Sequence, residues 1–212
     1  MQNYTKMRST RHNDVVMKVI PGHFVTPNSH INYYIDMTTM KTRQNEAQAA
    51  ARAMSEVYMA STIVDTIVCM DGMEVIGAYM ADELTKVGIM SMNAHKTIYI
   101  MSPEYDLAGQ MIVRENNQMM VRGKHCLLLL ASTTTGQTIA RAAESINYYG
   151  GTIVGISTIF SAVTKVLDQP VHALYTVSDL PDYRSYPPPK CRMCQKHEPI
   201  DAICNGFGYS RL

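Results

Sequence analysis

Four consecutive hydroxyl side chains and a glycine form the stretch of this sequence best suited to binding an anion. The five residues are Ser132, Thr133, Thr134, Thr135 and Gly136. An apolar run at 126–131 predicts a buried strand before them, and an amphipathic pattern at 137–149 predicts a helix after them. Such a turn presents backbone N–H groups, hydroxyls and the positive end of a helix dipole to a phosphate. An ordinary strand–helix turn with a hydroxyl cap is the alternative.

Four hydroxyls in a row exceed what one helix cap needs, so the pattern favours a phosphate site. We predict that Gln137 and Thr138, at the start of the helix, extend the set of donors that begins at Ser132. Gly136 would let an anion approach the backbone closely.

A second group of residues with ligand chemistry lies in the C-terminal part of the sequence: Cys191, Cys194, His197 and Cys204. A Cys-x-x-Cys step lets two thiolates chelate one ion from a tight turn, and the other two residues could complete a tetrahedral site. A disulfide and a turn with free thiols are the alternatives. We predict a structural Zn2+, because four protein ligands leave no open coordination position for catalysis.

Charge and composition exclude several classes of function. The 212 residues carry a formal net charge of +1 without a local Lys/Arg cluster, which argues against a nucleic-acid surface. No apolar run approaches the roughly 18–20 residues of a membrane span, and the first residues lack the apolar core of a signal peptide. The five cysteines form no disulfide framework. We therefore expect a cytoplasmic protein that binds neither nucleic acid nor membranes.

The elements that must position these residues alternate between strands and helices. The predicted strands are 63–70, 97–101, 126–131, 152–160 and 171–177, and the predicted helices are 45–62, 74–86 and 137–149. This order implies an α/β fold with a parallel twisted sheet flanked by helices and right-handed crossovers. A ligand would lie beyond the carboxyl ends of the strands, where a turn at Asp71 and Gly72 meets the hydroxyl turn.

Two flanking segments complete the predicted organisation. Residues 1–40 predict a small N-terminal hood of short strands, in which a strand at 15–20 ends at a turn formed by Pro21 and Gly22. Three prolines at 187–189 predict a stiff linker. The linker divides a domain at 1–186 from a Cys-containing tail at 187–212.

The order of elements and three segments resemble the type I phosphoribosyltransferases, and most closely the orotate phosphoribosyltransferases. Residues 127–139 are similar to the motif with which this family binds phosphoribosyl pyrophosphate. The resemblance places Thr134, Thr135 and Gly136 in the turn that holds the 5′-phosphate. It covers roughly residues 20–180.

The other two segments resemble the family more weakly. Residues 68–77 lie where the family has its pyrophosphate-side loop, which would consist here of Met70, Asp71 and Gly72. Residues 32–36 resemble the early aromatic strand beside the base, and Tyr33 and Tyr34 take that position here.

The resemblance implies an enzyme that transfers phosphoribose from phosphoribosyl pyrophosphate to a pyrimidine-type base, in nucleotide biosynthesis or salvage. It also implies a Mg2+ cofactor on the pyrophosphate, a phosphorylated sugar or nucleotide as ligand, and a homodimer.

Two departures from the family pattern bear on activity. The family carries two adjacent acidic residues that hold the ribose hydroxyls, and the corresponding positions here are Leu130 and Ala131. The family's mobile loop supplies a Lys, whereas this chain offers only Arg114 and Arg122 in that region, and the two residue types are not interchangeable. We therefore predict weak or absent transfer to orotate. A non-catalytic protein that senses a nucleotide or sugar phosphate is the alternative function.

Overall fold

The N-terminal strands form an antiparallel sheet above the rest of the chain. The computed structural model describes residues 4–9, 11–86, 91–94, 96–107 and 109–212. The first three strands are β1 (Thr5–Arg8), β2 (Val16–Val25) and β3 (His30–Asp36). β2 pairs with both neighbours, and a turn at 26–29 joins β2 to β3. We call this sheet the hood.

The turn predicted at Pro21 and Gly22 is wrong, because β2 continues through both residues to Val25. The register against β3 shifts between Pro21 and Phe24, which marks a β-bulge. A bulge accommodates a proline because the ladder loses no required N–H donor there. The glycine is needed for close packing, since a Cβ at Gly22 would lie 2.8 Å from Asp201 Oδ2.

The central part of the chain alternates between helices and strands as predicted. Its elements are α1 (Thr38–Thr42), α2 (Gln44–Met59), β4 (Thr66–Cys69), α3 (Glu74–Thr85), β5 (Tyr99–Met101), β6 (Glu104–Tyr105), β7 (Met111–Ile112), β8 (His125–Thr133), α4 (Gln137–Tyr148), β9 (Thr152–Ser161), β10 (Lys165–Val166) and β11 (Gln169–Thr176). The polar stretch before β8 contains the β6–β7 hairpin and a 3-10 helix at Glu115–Met120.

The central sheet has the strand order β10-β11-β9-β8-β4-β5. All its pairings are parallel except that of β10, which runs antiparallel to β11 at one edge. The prediction of a parallel sheet flanked by helices is therefore confirmed. Cys69, the last residue of β4, pairs with Leu129, so the turn after β4 lies beside the last residues of β8.

Burial on both faces explains the apolar run of β8. Leu127 and Leu129 pack into the larger core with α2 and α3, whereas Leu128 and Leu130 face a second core with α4. Alternate residues of a strand point to opposite faces, so a strand covered on both sides must be apolar throughout.

The tail belongs to the same sheet as the hood. β12 (Ser185–Tyr186) pairs with β3 just before the tail, whose elements are α5 (Arg192–Gln195), β13 (Ala202–Asn205) and β14 (Gly208–Arg211). β13 pairs in parallel with β2, and β14 pairs antiparallel with β13, so both strands extend the hood sheet. Among the described residues, no helix is long and apolar enough to cross a membrane.

Candidate functional site

A cavity of about 440 Å3 lies where the hood, the tail and the carboxyl ends of β4 and β8 meet. Five segments that are distant in the sequence contribute to its lining: the hood and α1 within 26–41, residues 69–74, the region of the β6–β7 hairpin, residues 131–138, and residues 204–207 of the tail. Its size falls within the range of small-molecule sites, about 300–1,000 Å3. The fold thus assembles one pocket from the elements predicted to carry the site.

The hydroxyl turn forms one wall of this cavity. Its backbone turns at Gly136, which has a φ of 79° in the left-handed region, and α4 begins at the next residue without an acidic side chain in its first turn. The positive end of the helix dipole is therefore not neutralised by the helix itself. Each of the seven residues from Ser132 to Thr138 lines the cavity.

Two amides of the turn already donate to hydroxyls of the same turn. Gly136 N donates to Thr133 Oγ1 at 3.2 Å, and Gln137 N donates to Thr135 Oγ1 at 3.4 Å. Thr134 Oγ1 accepts a 3.5 Å contact from Ser29 Oγ of the hood. The turn is thus pre-formed, and an anion would compete with the longer of the two internal hydrogen bonds.

The turn after β4 forms the facing wall. Met70, Asp71 and Gly72 all line the cavity, and Asp71 has a φ of 58°, which is unusual for a residue with a side chain. Burial raises the pKa of the Asp71 carboxyl, although the charge of Lys41 and a hydrogen bond from the Ala131 N–H act in the opposite direction. The chain holds this carboxylate in place by tertiary contacts rather than by local preference.

Lys41 is a cation in direct contact with this carboxylate loop, a role that its place in the sequence did not indicate. Its side chain is buried, and its Nζ donates to the carbonyl oxygens of Asp71 at 2.7 Å and Gly206 at 2.6 Å. Burial lowers the pKa of Lys41, while Asp71 and Glu74 oppose that shift. The lysine therefore joins the β4 loop to the β13–β14 turn across the cavity.

Leu130 and Ala131, which replace the acidic pair of the family, differ in their surroundings. Leu130 is fully buried in the core beneath α4, whereas Ala131 lines the cavity. Its backbone N–H hydrogen-bonds the Asp71 carboxyl. A carboxylate thus lies beside the second of the two replaced positions, although it comes from another strand.

Aromatic side chains close the hood side of the cavity. Tyr33 and Tyr34 both line it, and Phe207 does so from the β13–β14 turn. The Tyr34 ring packs 4.7 Å from the Tyr209 ring, and burial raises the pKa of the Tyr34 hydroxyl. These rings offer flat apolar surface to a planar ligand.

Neither of the predicted loop cations lies among the described residues that line the cavity. Arg114 pairs with Glu104 across the β6–β7 hairpin at 2.8 Å, and Arg122 donates to Gln118 at 2.7 Å. Lys41 and Arg141 are the basic residues that line it. The sequence pattern did not indicate that these two residues line a cavity, since each is typical of a solvent-exposed charge on a helix.

The four predicted metal ligands do not meet at one point. The structure brings Cys191 and Cys194 together with His23 and His30 of the hood, and these four residues could hold a metal ion. His197 is exposed at the end of α5, with a φ of 58° that turns the chain away. Cys204 faces inward from β13, where it packs in the core near Tyr34 and Tyr183.

Comparison with known proteins gives a consistent result at the level of structure only. No protein-family model and no curated protein matches this sequence. Among solved structures, Leishmania donovani UMP synthase superposes with a TM-score of 0.57 at 17% identity, over 77% of this chain and 34% of that one.

Two further solved structures are also similar. Mycobacterium tuberculosis H37Rv orotate phosphoribosyltransferase in complex with inorganic phosphate gives a TM-score of 0.50 at 16% identity, over 71% of this chain and 81% of that one. Adenine phosphoribosyltransferase from Leishmania donovani gives 0.51 at 13% identity, over 74% and 77%. Identities this low establish the architecture rather than the reaction. The chain therefore has the fold of the type I phosphoribosyltransferases, as its sequence predicted.

Proposed function

We propose that this protein binds phosphoribosyl pyrophosphate and transfers its phosphoribose to a pyrimidine-type base. One observation supports this most: a single cavity is lined by the hydroxyl turn, the Asp71 loop and the hood tyrosines. These three features match a sugar that carries a phosphate at one end and a pyrophosphate at the other, with a planar base beside it.

In this proposal each wall of the cavity has one task. The turn from Ser132 to Thr138 holds the 5′-phosphate with backbone N–H groups and hydroxyls. Tyr33 and Tyr34 flank the base. The bond from C1′ to the pyrophosphate oxygen breaks and the pyrophosphate leaves with the bonding electrons. A ring nitrogen of the base then bonds to C1′ and loses its proton to water.

The carboxylates of the cavity have the chemistry to hold a Mg2+ ion with its substrate. Asp71 and Glu74 both line the cavity, and Glu74 Oε1 accepts a hydrogen bond from Ser102 at 2.7 Å. Mg2+ binds through one or two carboxylates together with substrate phosphates and water, so this donor set fits. The ion would neutralise charge on the leaving pyrophosphate.

A non-catalytic sensor of a nucleotide or sugar phosphate is the second candidate. Leu130 and Ala131 favour it, because apolar side chains cannot accept hydrogen bonds from the ribose hydroxyls. Each unmet hydroxyl would cost about 1–3 kcal/mol. Asp71 is the nearest described carboxylate that could take over this role, through its place beside Ala131.

Calorimetry and a turnover assay separate these functions. We expect phosphoribosyl pyrophosphate and UMP to bind to the purified protein, with the former strengthened by Mg2+, and transfer to orotate to be weak. Any Mg2+-dependent turnover of a pyrimidine, even below the ordinary range of about 1–1,000 per second, would establish the enzyme and dismiss the sensor. Binding without turnover for any pyrimidine would establish the sensor. Absence of binding by both ligands would refute both functions.

The homodimer and the cytoplasmic location belong to the same proposal. The resemblance to orotate phosphoribosyltransferases supports the dimer, and the cysteine pattern supports a reducing compartment. Light scattering after size exclusion would measure the mass, for which we expect twice that of one 23.7 kDa chain.

A further inference from the structure

Four metal-binding side chains from the hood and the tail converge at one point outside the cavity. His23 lies in β2, His30 begins β3, Cys191 precedes α5 and Cys194 lies within it. Their ligand atoms all lie within 4.8 Å of one another. The two histidines and Cys191 are buried, and Cys194 is the least buried of the four.

The separations between these atoms match a tetrahedral site. His23 Nε2 lies 3.0 Å from His30 Nδ1 and 3.6 Å from the sulfur of each cysteine. Cys194 Sγ lies 3.3 Å from His30 Nδ1. Zn–N and Zn–S bonds of about 2.0–2.1 and 2.3 Å in a tetrahedron give about 3.3 Å between nitrogens and 3.5 Å between nitrogen and sulfur. These four distances agree to within a few tenths of an ångström, and the two remaining separations, from Cys191 Sγ to the other two ligand atoms, are no more than 4.8 Å.

The hydrogen bonding of His23 leaves the right nitrogen available. Its Nδ1 lies 3.1 Å from the carbonyl oxygen of Glu198, which can only accept, so Nδ1 carries the proton. Its Nε2 therefore points a lone pair at the cluster, and a carbonyl that accepts from the other ring nitrogen commonly orients a metal-binding histidine in this way. A hydrogen bond between His23 and His30 would explain the contact between these two rings. It would not explain why the thiols of Cys191 and Cys194 also lie against the same nitrogens.

We propose that His23, His30, Cys191 and Cys194 bind one Zn2+ ion, which fastens residues 187–212 to the hood. Two imidazoles and two thiolates are a donor set that zinc favours, and the complete set of four ligands makes the site structural. In this ligand set, two histidines of the β2–β3 hairpin take the places that the sequence prediction assigned to His197 and Cys204. This proposal does not depend on the transferase reaction.

The ion would also fix the roof of the cavity. The chain runs from the cluster into β13 and then into the turn at Gly206 and Phe207, which covers Asp71 and Lys41. A Cβ at Gly206 would lie 2.2 Å from Asp71 Oδ1, so this turn packs directly on the carboxylate. Loss of the metal should therefore weaken ligand binding in the cavity as well as the attachment of the tail to the hood.

The test uses the full chain, purified without a histidine tag and under reducing conditions. Elemental analysis should give one zinc per chain, and Co2+ substitution should give the absorption of a tetrahedral thiolate site. Cys194→Ser and His30→Asn should each weaken zinc binding about tenfold or more. Cys204→Ser and His197→Asn are the matched controls, and both should retain the ion.

Three results would overturn the proposal. The first is reduced wild-type protein with neither zinc nor a tetrahedral Co2+ spectrum after incubation with each metal. The second is a Cys191–Cys194 disulfide in protein isolated in parallel without reductant, identified by peptide mass spectrometry after the free thiols are alkylated. The third is an ion lost in His197→Asn but kept in His30→Asn, which would place the site within the tail alone. The spectrum of the wild-type protein decides the matter even if a variant fails to fold.

Discussion

Two residues of the cavity hold backbone conformations that their function would explain. Gly136 turns the chain into α4 with a positive φ, and a Cβ there would lie 2.6 Å from Val166 Cγ2 of β10. Asp71 takes a similar φ despite its side chain, which aims its carboxylate at the end of β8. Single residues thus define the two ends of the proposed ligand site.

Replacing Gly136 by alanine should damage the phosphate turn in two ways. The positive φ costs about 1–2 kcal/mol for a residue with a Cβ, and the contact with Val166 adds about 1–3 kcal/mol of overpacking. We expect a fall of about 2–5 kcal/mol in the free energy of unfolding and at least about tenfold weaker UMP binding. Urea denaturation and calorimetry measure the two effects.

Gly123→Ala is the matched control for this change. Gly123 also has a positive φ, of 68°, but nothing lies within 4 Å of the added Cβ. It should lose only the backbone contribution and retain UMP affinity. Equal effects of the two substitutions on both stability and binding would show that the hydroxyl turn has no special role.

At the scale of elements, Asp65 joins three strands at the start of the central sheet. Its N–H donates to the His125 carbonyl, and its own carbonyl accepts from Tyr99, so its backbone continues both ladders of β4. Its Oδ2 accepts from the His125 N–H at 2.9 Å and lies 2.7 Å from His125 Nδ1. A carboxylate inside this apolar stretch has no explanation in the local pattern, and the pairing with His125 of β8 provides one.

The Asp65 interaction predicts a pH-dependent stability. Partial burial raises the pKa of this carboxyl, but the hydrogen bonds and charge of His125 outweigh it, so the folded pKa is lower than usual. The unfolded pKa is about 3.9. The stabilisation is therefore complete above that value and is lost as the pH falls through the lowered folded value.

Asp65→Asn should cost about 0.5–1 kcal/mol at pH 7, a small value because the pair is partly exposed and screened by solvent. The difference from wild type should shrink towards pH 3. Denaturant melts at the two pH values check this, with Asp168→Asn, on an exposed pair with Lys165, as the control. An undiminished difference at low pH would mean that shape rather than charge is responsible.

Local sequence patterns predicted the long helices of this chain but not all of its strand pairings. The helix predicted at 74–86 is observed at Glu74–Thr85, and that at 137–149 is observed at Gln137–Tyr148, because periodicity is a local property. β13 was not predicted, since its partner β2 lies far away in the chain. The hydrogen bond from His23 N to Asp201 Oδ2 spans 178 residues. His23 and His30 escaped notice as ligands for the same reason.

At the scale of the whole molecule, the cavity exists only where three layers meet. The central sheet supplies the phosphate and carboxylate turns, the hood supplies the tyrosines, and the tail supplies the turn at Gly206 and Phe207. Tyr209 of the tail also packs against Tyr34 and Phe24 of the hood. The tail is therefore part of the site rather than an appendage to it.

Ending the chain at Tyr186 should lower the free energy of unfolding and abolish ligand binding. The truncated protein loses the strand that pairs with β2 and the buried side chains of Cys191, Ala202 and Cys204. We expect a loss of about 3 kcal/mol or more, which lowers Tm by roughly 6–12 °C for a chain of this size. Calorimetric scanning measures the change.

Phe207→Ala separates the contribution of the tail to ligand binding from its contribution to stability. The ring is 73% exposed, so its removal should change the free energy of unfolding by only about 0.5 kcal/mol. Because the ring lines the cavity, UMP affinity should fall roughly fivefold, by about 1 kcal/mol. If the truncated chain binds UMP as well as wild type does, the tail has no part in the site.

The parallel pairing of β13 with β2 also constrains how the protein is made. On the ribosome, residues 202–205 leave the exit tunnel long after residues 16–25, when the central sheet has all its strands. Until then, β2 lacks its partner at Phe24 and Val25, and the unpaired N–H and C=O groups of that edge can template pairing with another nascent chain. Newly synthesised hoods, rather than newly synthesised central sheets, should therefore be the part of this protein that chaperones protect.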